Sequence, residues 1–150
     1  MPAMASQLLR TFGLVVLIAS LAACGGKTSA VPPSGVNSMQ STDINAGTGP
    51  AIAAGQTAVV QYTGWLYEAS AADAKGKQFD SSRTGGQPFR FAVGGGQVIK
   101  GWDSGVVGMK VGGQRRLVIP ADLAYGDRGA GGVIPPGATL VFDIDLIAIE

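Results

Sequence analysis

Apolar and polar residues alternate with a period of two along much of the second half of the chain. In the run Thr139 to Ile149, Leu140, Phe142, Ile144, Leu146 and Ala148 fall on one face, the pattern of a half-buried strand. Asp143 and Asp145 fall on the opposite face, where solvated positions of a wet sheet surface are expected. Gln114 to Ile119 alternates again, with Arg115, Leu117 and Ile119 on one side and Arg116 and Val118 on the other. Phe89, Phe91 and Val93 alternate with Arg90 and Ala92. Thr57 to Leu66 carries Val59, Val60, Tyr62 and Trp65, and its β-branched and aromatic content predicts a further strand. One segment breaks the period: Val98, Ile99, Trp102, Val106 and Met109 recur at spacings of three and four, which predicts a short amphipathic helix over Gln97 to Met109. Gly101 and Gly105 weaken that helix by about 1 kcal/mol each relative to Ala, a cost tolerated where a sheet packs closely against it. Many strands and one helix predict an α+β fold, a bent antiparallel β-sheet wrapped around one short amphipathic helix.

The first residues read as an address. Arg10 supplies a positive n-region, and Phe12 to Ala22 is an apolar run of 11 residues. A span of the hydrocarbon core needs about 20 residues, so residues 1–23 read as a secretory signal peptide. The run ends in Leu21-Ala22-Ala23-Cys24-Gly25. That ending resembles the lipobox of bacterial lipoproteins, in which the cysteine is lipidated and becomes the mature N-terminus. Cys24 is the chain's one cysteine, so the resemblance makes it the lipidation site. Acyl chains anchor by about 0.8 kcal/mol per buried methylene. Residues 24–38 are then the lipidated Cys24 and a tether of Gly, Ser, Pro and Thr, too poor in large apolar residues to fold. Its 14 residues from Gly25 to Ser38 would hold a domain on the order of 20 Å from the bilayer. The expected location is the cell envelope, lipid-anchored to a membrane and facing the periplasm or the exterior. The folded domain is expected over 39–150.

Composition narrows the chemistry of that domain. The chain has 11 basic and 10 acidic residues, and loss of Arg10 with the leader leaves the two signs equal. That balance leaves no electrostatic footprint for nucleic acid. There is no histidine, which removes the commonest general base and the commonest zinc ligand. A lone cysteine permits neither an internal disulfide nor a thiolate metal cluster, so no metal is expected. The 24 glycines suit short strands and tight turns.

Seven short motifs now align. Tyr62-Thr63-Gly64, Phe79-Asp80-Ser81-Ser82, Pro88-Phe89-Arg90-Phe91, Val98-Ile99-Lys100-Gly101-Trp102, Ala124-Tyr125-Gly126, Ile134-Pro135-Pro136 and Leu140-Val141-Phe142-Asp143 occur in this order. Together they resemble the successive motifs of the FKBP-type peptidyl-prolyl cis-trans isomerases, over nearly the whole of 39–150. The resemblance implies a shallow apolar pocket between sheet and helix, formed by Tyr62, Phe79, Asp80, Phe89, Val98, Ile99, Trp102, Tyr125 and Phe142. Trp102 would be its floor. Ile134, from the loop that overhangs the pocket, joins Tyr62, Phe79, Phe89, Val98 and Ile99 as substrate-binding, while Asp80, Trp102, Tyr125 and Phe142 would serve catalysis. Phe91 is read equally well as pocket neighbour and as plain core. The pattern also departs from the family's. Gly85 stands where many relatives carry arginine after the Phe-Asp-Ser-Ser motif, so an ion pair orienting Asp80 is lost unless Arg83 supplies it. Ala130 stands where some members have histidine, and Val133 replaces a bulkier isoleucine. Tyr67 to Gly76 is longer than the matching loop of minimal members, and its Ala69 to Ala74 stretch is expected as a bulge or short helix.

The implied activity needs none of the missing residues. An amide resists rotation by about 18–20 kcal/mol, and a pocket that favours the twisted amide can lower this without a base, a cofactor or a covalent intermediate. The partners implied are proline-containing polypeptides of the export route and macrolide inhibitors. A non-catalytic alternative uses the same pocket, as a proline-peptide-binding chaperone or host-interaction lipoprotein. The chain lacks the long helical dimerisation segment of Mip-type lipoprotein isomerases, so a monomer is expected.

Overall fold

The computed structural model describes residues 36–150. The expected signal peptide, Cys24 and the expected tether as far as residue 35 lie outside the described residues. Among the described residues six strands form one antiparallel sheet: β1 (Gln40–Asn45), β2 (Thr57–Tyr67), β3 (Lys75–Ser81), β4 (Phe89–Ala92), β5 (Gln114–Ile119) and β6 (Leu140–Ile149). Their order is β1-β5-β6-β2-β3, and β4 also pairs with β2. Two short helices, α1 (Ser82–Gly85) and α2 (Lys100–Gly105), complete the α+β fold.

The central pair β2 and β6 runs in register from Leu66↔Leu140 to Val60↔Leu146. Alternation puts Leu140, Phe142, Ile144 and Leu146 on the inner face, each buried. The expected pattern breaks at Ile147. The register shifts between Val59 and Val60, which leaves Ile147 as an extra residue, 46% exposed. A one-residue bulge reverses the facing of everything beyond it. Ile149, opposite the fully buried Ala58, therefore packs on the core, and the inner position expected for Ala148 passes to it.

Helix α2 is shorter than the apolar spacing predicts. It covers six residues rather than Gln97 to Met109. Ile99 has extended backbone angles, φ −58° and ψ 150°, so Val98 and Ile99 lie on the approach to the helix. At the other end Gly108 takes φ +82° and its N–H donates to Ile52 O at 2.8 Å, which turns the chain away. Val106 and Met109 are still buried, at 0% and 2% exposure. The period of three to four thus reports which side chains enter the core, while the glycines decide where the helix stops.

Close contact between α2 and β5 explains the two helix glycines. A Cβ at Gly101 would stand 2.4 Å from Ile119 Cγ2, and one at Gly105 would stand 2.6 Å from Leu117 Cδ1. Arg115 shares that inner side of β5. Its Nη1 donates to Gly105 O and Val107 O at 2.9 and 3.0 Å, satisfying carbonyls that the end of a helix leaves without partners. Its Nε pairs with Asp43 on β1. That tie helps hold β1, whose six residues are all exposed and whose polar run carries no strand periodicity.

The outer face is less wet than alternation implies. The Asp143 side chain is only 12% exposed and is held by two cations, which corrects its reading as a solvated position. Arg116 Nε and Nη2 reach its two oxygens at 2.7 and 3.0 Å, and Lys75 Nζ lies 2.6 Å from Oδ2. Burial by itself raises the Asp143 carboxyl, but these hydrogen bonds and charges outweigh it and hold it below the ordinary carboxylate range. Lys75 also lies over the Trp65 ring at 4.2 Å. Arg116 further pairs with Asp73 at 3.4 Å, in the loop between β2 and β3, which spans 68–74 rather than the expected 67–76. A short 3-10 turn, Ala72–Ala74, forms there, and Asp73 and Ala74 take positive φ. At the start of the described chain, Val36 is 6% exposed and lines a shallow surface cavity with Pro120, Ala121 and Thr139.

Candidate active site

One edge of β2 is shared by two partners. Thr57 to Val60 pair with β4, and Thr63 to Tyr67 pair with β3. Between them the ladder is interrupted at Gln61 and Tyr62. There the Tyr62 N–H donates instead to Ser82 Oγ at 2.8 Å, so α1 fills the gap. Ser81 starts α1 as its N-cap, accepting from Arg83 N–H. The Phe79-Asp80 pair at the end of β3 is thereby brought alongside Tyr62.

Phe142 reaches the same place from β6, opposite Gly64. A Cβ at Gly64 would lie 2.7 Å from Phe142 and 2.8 Å from Phe79, so glycine lets those two rings meet edge to face, 5.6 Å apart at 90°. Trp102 enters from α2, 4% exposed. Tyr62 and Phe142 meet it edge-on at 4.9 and 5.3 Å, and Phe89 does so at 6.1 Å. Such edge-to-face pairs are worth about 0.5–1.5 kcal/mol each beyond area burial, enough together to fix the indole plane. Its Nε1 is buried with no hydrogen-bond acceptor among the described residues.

These side chains enclose a cavity of about 180 Å³ lined by Tyr62, Phe79, Asp80, Phe89, Gln97, Val98, Ile99, Trp102, Tyr125 and Phe142. Drug-sized sites run to roughly 300–1,000 Å³, so this one has room for a single ring-sized group. Phe89 and Tyr125, 39% and 40% exposed, stand at its rim. All nine residues of the implied pocket line it. Two placements differ from expectation. Ile134 is absent from the lining: it is 6% exposed and belongs to the hydrophobic core. Its backbone bridges Ala130, so it roots the overhanging loop from below. Gln97 joins the lining without a sequence signal, since it follows three glycines and carries no periodicity. Of the two readings of Phe91, the structure selects core, at 2% exposure.

Asp80 is the one charged group of the lining. Its Oδ2 accepts from the Tyr62 hydroxyl at 2.6 Å, and its Oδ1 accepts from the Ser81 N–H at 2.8 Å. Arg83 does not substitute for the arginine missing at Gly85, because its guanidinium pairs with Asp145. A phenol orients the carboxylate instead. Burial pushes the Tyr62 hydroxyl well above the ordinary tyrosine range, and the Asp80 hydrogen bond and charge add to the shift. Tyr125 is raised for the same reasons, burial first and the Asp80 charge second. Both phenols are therefore donors. Among the described residues no three His, Cys, Asp or Glu side chains come together as a metal site. Nor is any described helix long and apolar enough to cross a membrane.

The chain is similar to known proteins over most of the described residues. Residues 49–147 match the sequence profile of the FKBP-type peptidyl-prolyl cis-trans isomerase family. An FK506-binding protein of Streptomyces anulatus is 56% identical over 108 residues, covering 71% of this chain and 82% of its own. One from Neisseria meningitidis serogroup A is 49% identical over 107 residues, covering 71% and 92%. Among solved structures, AtFKBP13 superimposes with a TM-score of 0.64 at 41% identity, over 75% of this chain and 93% of that one. FkpA from Escherichia coli does so with a TM-score of 0.63 at 42% identity, over 75% and 48%.

Proposed function

Because the chain belongs to the family of FKBP-type peptidyl-prolyl cis-trans isomerases, we propose that its aromatic cavity takes the proline ring of a polypeptide and favours the twisted form of the preceding amide. The observation that carries this is the convergence of Tyr62, Phe89, Val98, Ile99 and Phe142 around the face of Trp102.

The chemistry follows from the amide. X-Pro bonds populate both isomers and interchange in roughly 10–100 s. Shortening this to about a millisecond takes four to five powers of ten, or roughly 5.5–7 kcal/mol. In the planar amide, charge is separated between oxygen and nitrogen; on twisting, nitrogen recovers its lone pair and the dipole shrinks. A water-poor apolar cavity stabilises the less polar twisted form relative to the planar one, which is differential binding of the transition state. Helices leave their first N–H groups without intrahelical acceptors, so the Ile99 N–H at the start of α2 serves as a donor to a substrate carbonyl. The Tyr125 hydroxyl at the rim serves as a second. Asp80, held by Tyr62, faces the rotating carbonyl and biases its orientation. No proton changes hands.

The test is a protease-coupled proline-peptide assay with and without rapamycin. Wild type should exceed Trp102→Ala and Asp80→Ala variants, and rapamycin should inhibit it. A wild-type rate equal to that of both variants would sink catalysis in this cavity and leave only peptide binding.

The lipobox-like Leu21-Ala22-Ala23-Cys24 supports a second part of the proposal. The chain acts on exported proteins in the cell envelope, anchored through acyl chains on Cys24. Mass spectrometry of the mature protein should find a triacylated or diacylated Cys24 at the N-terminus. An unmodified Cys24 or a mature terminus elsewhere overturns the anchor without touching the isomerase reading.

A further inference from the structure

Of the two cavity-wall residues Val98 and Ile99, Ile99 is fixed to α2 by its own backbone, its carbonyl accepting from the Trp102 and Asp103 N–H groups at 2.9 and 3.2 Å. Val98 is delivered by a segment that should be soft. It follows Gly94-Gly95-Gly96, where Gly94 and Gly96 take φ +78° and +70° in the left-handed region that glycine allows. Three successive glycines have the most backbone freedom to lose on ordering. One side chain restrains them. Asp103 Oδ1 accepts from the Gly94 N–H at 3.0 Å, and Oδ2 accepts from the Gly96 N–H at 2.9 Å. Two N–H groups of the turn thus converge on one carboxylate, so the concavity they form is filled by the protein's own anion. Charge-assisted hydrogen bonds of this kind are about twice as strong as neutral ones.

The position of that carboxylate matters more than its strength. Asp103 directly follows Trp102 in α2, so the residue beside the cavity floor grips the loop that carries the cavity wall. The glycine turn is also tied back to β4, by Gly95 N–H to Ala92 O at 3.2 Å and Ala92 N–H to Gln97 Oε1 at 3.0 Å, and Val93 before it exchanges hydrogen bonds with Gly55 and Gln56. Among the hydrogen bonds of the glycine turn, those of Asp103 alone join it to α2.

We propose that Asp103 is a positioning residue for the isomerase reaction, holding the glycine turn, and with it the Val98 side of the wall, against α2 and so setting the gap that the proline ring enters. This rests on the proposal that the cavity binds proline. A wall held in place acts on the ground state and the transition state alike, so its loss should appear as weaker binding rather than slower turnover.

The experiment compares Asp103→Ala, Asp103→Asn and Asp103→Glu, with Ser104→Ala as a control on the exposed side of the same helix. For each, kcat and KM are measured on a proline tetrapeptide, the peptide Kd by calorimetry, and amide hydrogen exchange by NMR. Asp103→Ala should raise KM and Kd together by about tenfold with kcat within about twofold. Asp103→Asn, which keeps one acceptor and loses the charge, should fall between, and Asp103→Glu should recover most of the affinity. Gly94 and Gly96 amides should exchange faster in the Ala variant while Leu117 and Ile144 stay protected. Faster glycine exchange with unchanged KM and Kd overturns the proposal, as does a fall in kcat alone. If Asp103→Ala fails to fold, an Asp103→Asn variant with wild-type KM and Kd overturns it equally. Absence of turnover in the wild type counts against the isomerase reading, and the Kd series then still decides whether Asp103 positions the wall.

Discussion

The Tyr62 hydroxyl donates to Asp80 Oδ2 at 2.6 Å, across the gap where β2 changes partners from β4 to β3. The carboxylate at the cavity is thus oriented by a neighbour that itself packs edge-on against Trp102. Tyr62→Phe keeps the ring and its packing and removes only the hydrogen bond. A hydrogen bond to a charged group contributes about 1.5–3 kcal/mol, of which solvent at the exposed Asp80 leaves about 1. Expected in the peptide assay is a fall in kcat/KM of about fivefold, with little change in melting temperature. Wild-type kcat/KM in this variant would show that Asp80 needs no orientation.

Activity should not depend on pH across the neutral range. The chain has no histidine, and Tyr62 and Tyr125 are both shifted upward by burial and by Asp80, so both hydroxyls stay protonated well past neutrality. The kcat/KM profile is expected to be flat within about twofold from about pH 6 to 9. A bell or a step centred near pH 7 would contradict a mechanism without proton transfer.

Stability, in contrast, should fall in acid. The Asp143 carboxyl is held below its ordinary value by Arg116 and Lys75 against the opposing effect of burial, and Asp43 is lowered chiefly by its hydrogen bond from Arg115. A carboxyl whose folded pKa lies below its unfolded value stabilises the fold above the unfolded value of 3.8. That contribution is lost as pH falls through the folded pKa. Urea denaturation should therefore show a decline starting below about pH 4. Asp143→Asn should cost about 2 kcal/mol at pH 7, less than the roughly 3–5 kcal/mol of a fully buried pair, because Arg116 and Lys75 each keep 21% of their side chains exposed. Its acid decline should also be shallower.

Alanine in α2 sets two effects against each other. Helix propensity favours Gly→Ala by about 1 kcal/mol, while overpacking costs about 1–3 kcal/mol. At Gly101 the new methyl would stand 2.4 Å from Ile119 Cγ2, on a β-branched side chain with little freedom to retreat. At Gly105 it meets the outer end of Leu117, which can give way more readily. Gly101→Ala is expected to lower the melting temperature by about 4–8 °C and Gly105→Ala by less. An increase at Gly101 would mean that helix and sheet are not in close contact.

Much of this site is legible in the sequence. Alternation in β5 and β6 marks Leu117, Ile119, Phe142, Ile144 and Leu146 as inward, because a strand can present only two faces. The resemblance of seven ordered motifs brings nine cavity residues together by number. Three features are not legible, each for a local reason. The bulge at Ile147 is a misalignment between two strands, and no single strand records it. The limits of α2 depend on the backbone angles of Ile99 and Gly108, which alternation and helical spacing ignore. Gln97 and Ile134 sit in loops, where side-chain direction follows from the turn and not from periodicity; one faces the cavity and the other the core.

Residue types and their spacing were enough to indicate the α+β class and the lack of histidine, since burial patterns and missing functional groups are properties of the chain itself. The aromatic cavity was implied by the resemblance of the seven motifs. Partner choice belonged to the tertiary structure. Asp143 is paired and dry rather than solvated because Lys75 and Arg116 arrive from β3 and β5. Asp80 is held by Tyr62, and Arg83 is drawn away to Asp145. A charge's partner is whichever group the fold carries within about 4 Å, and that distance between residues far apart in sequence exists only once the sheet has closed around the helix.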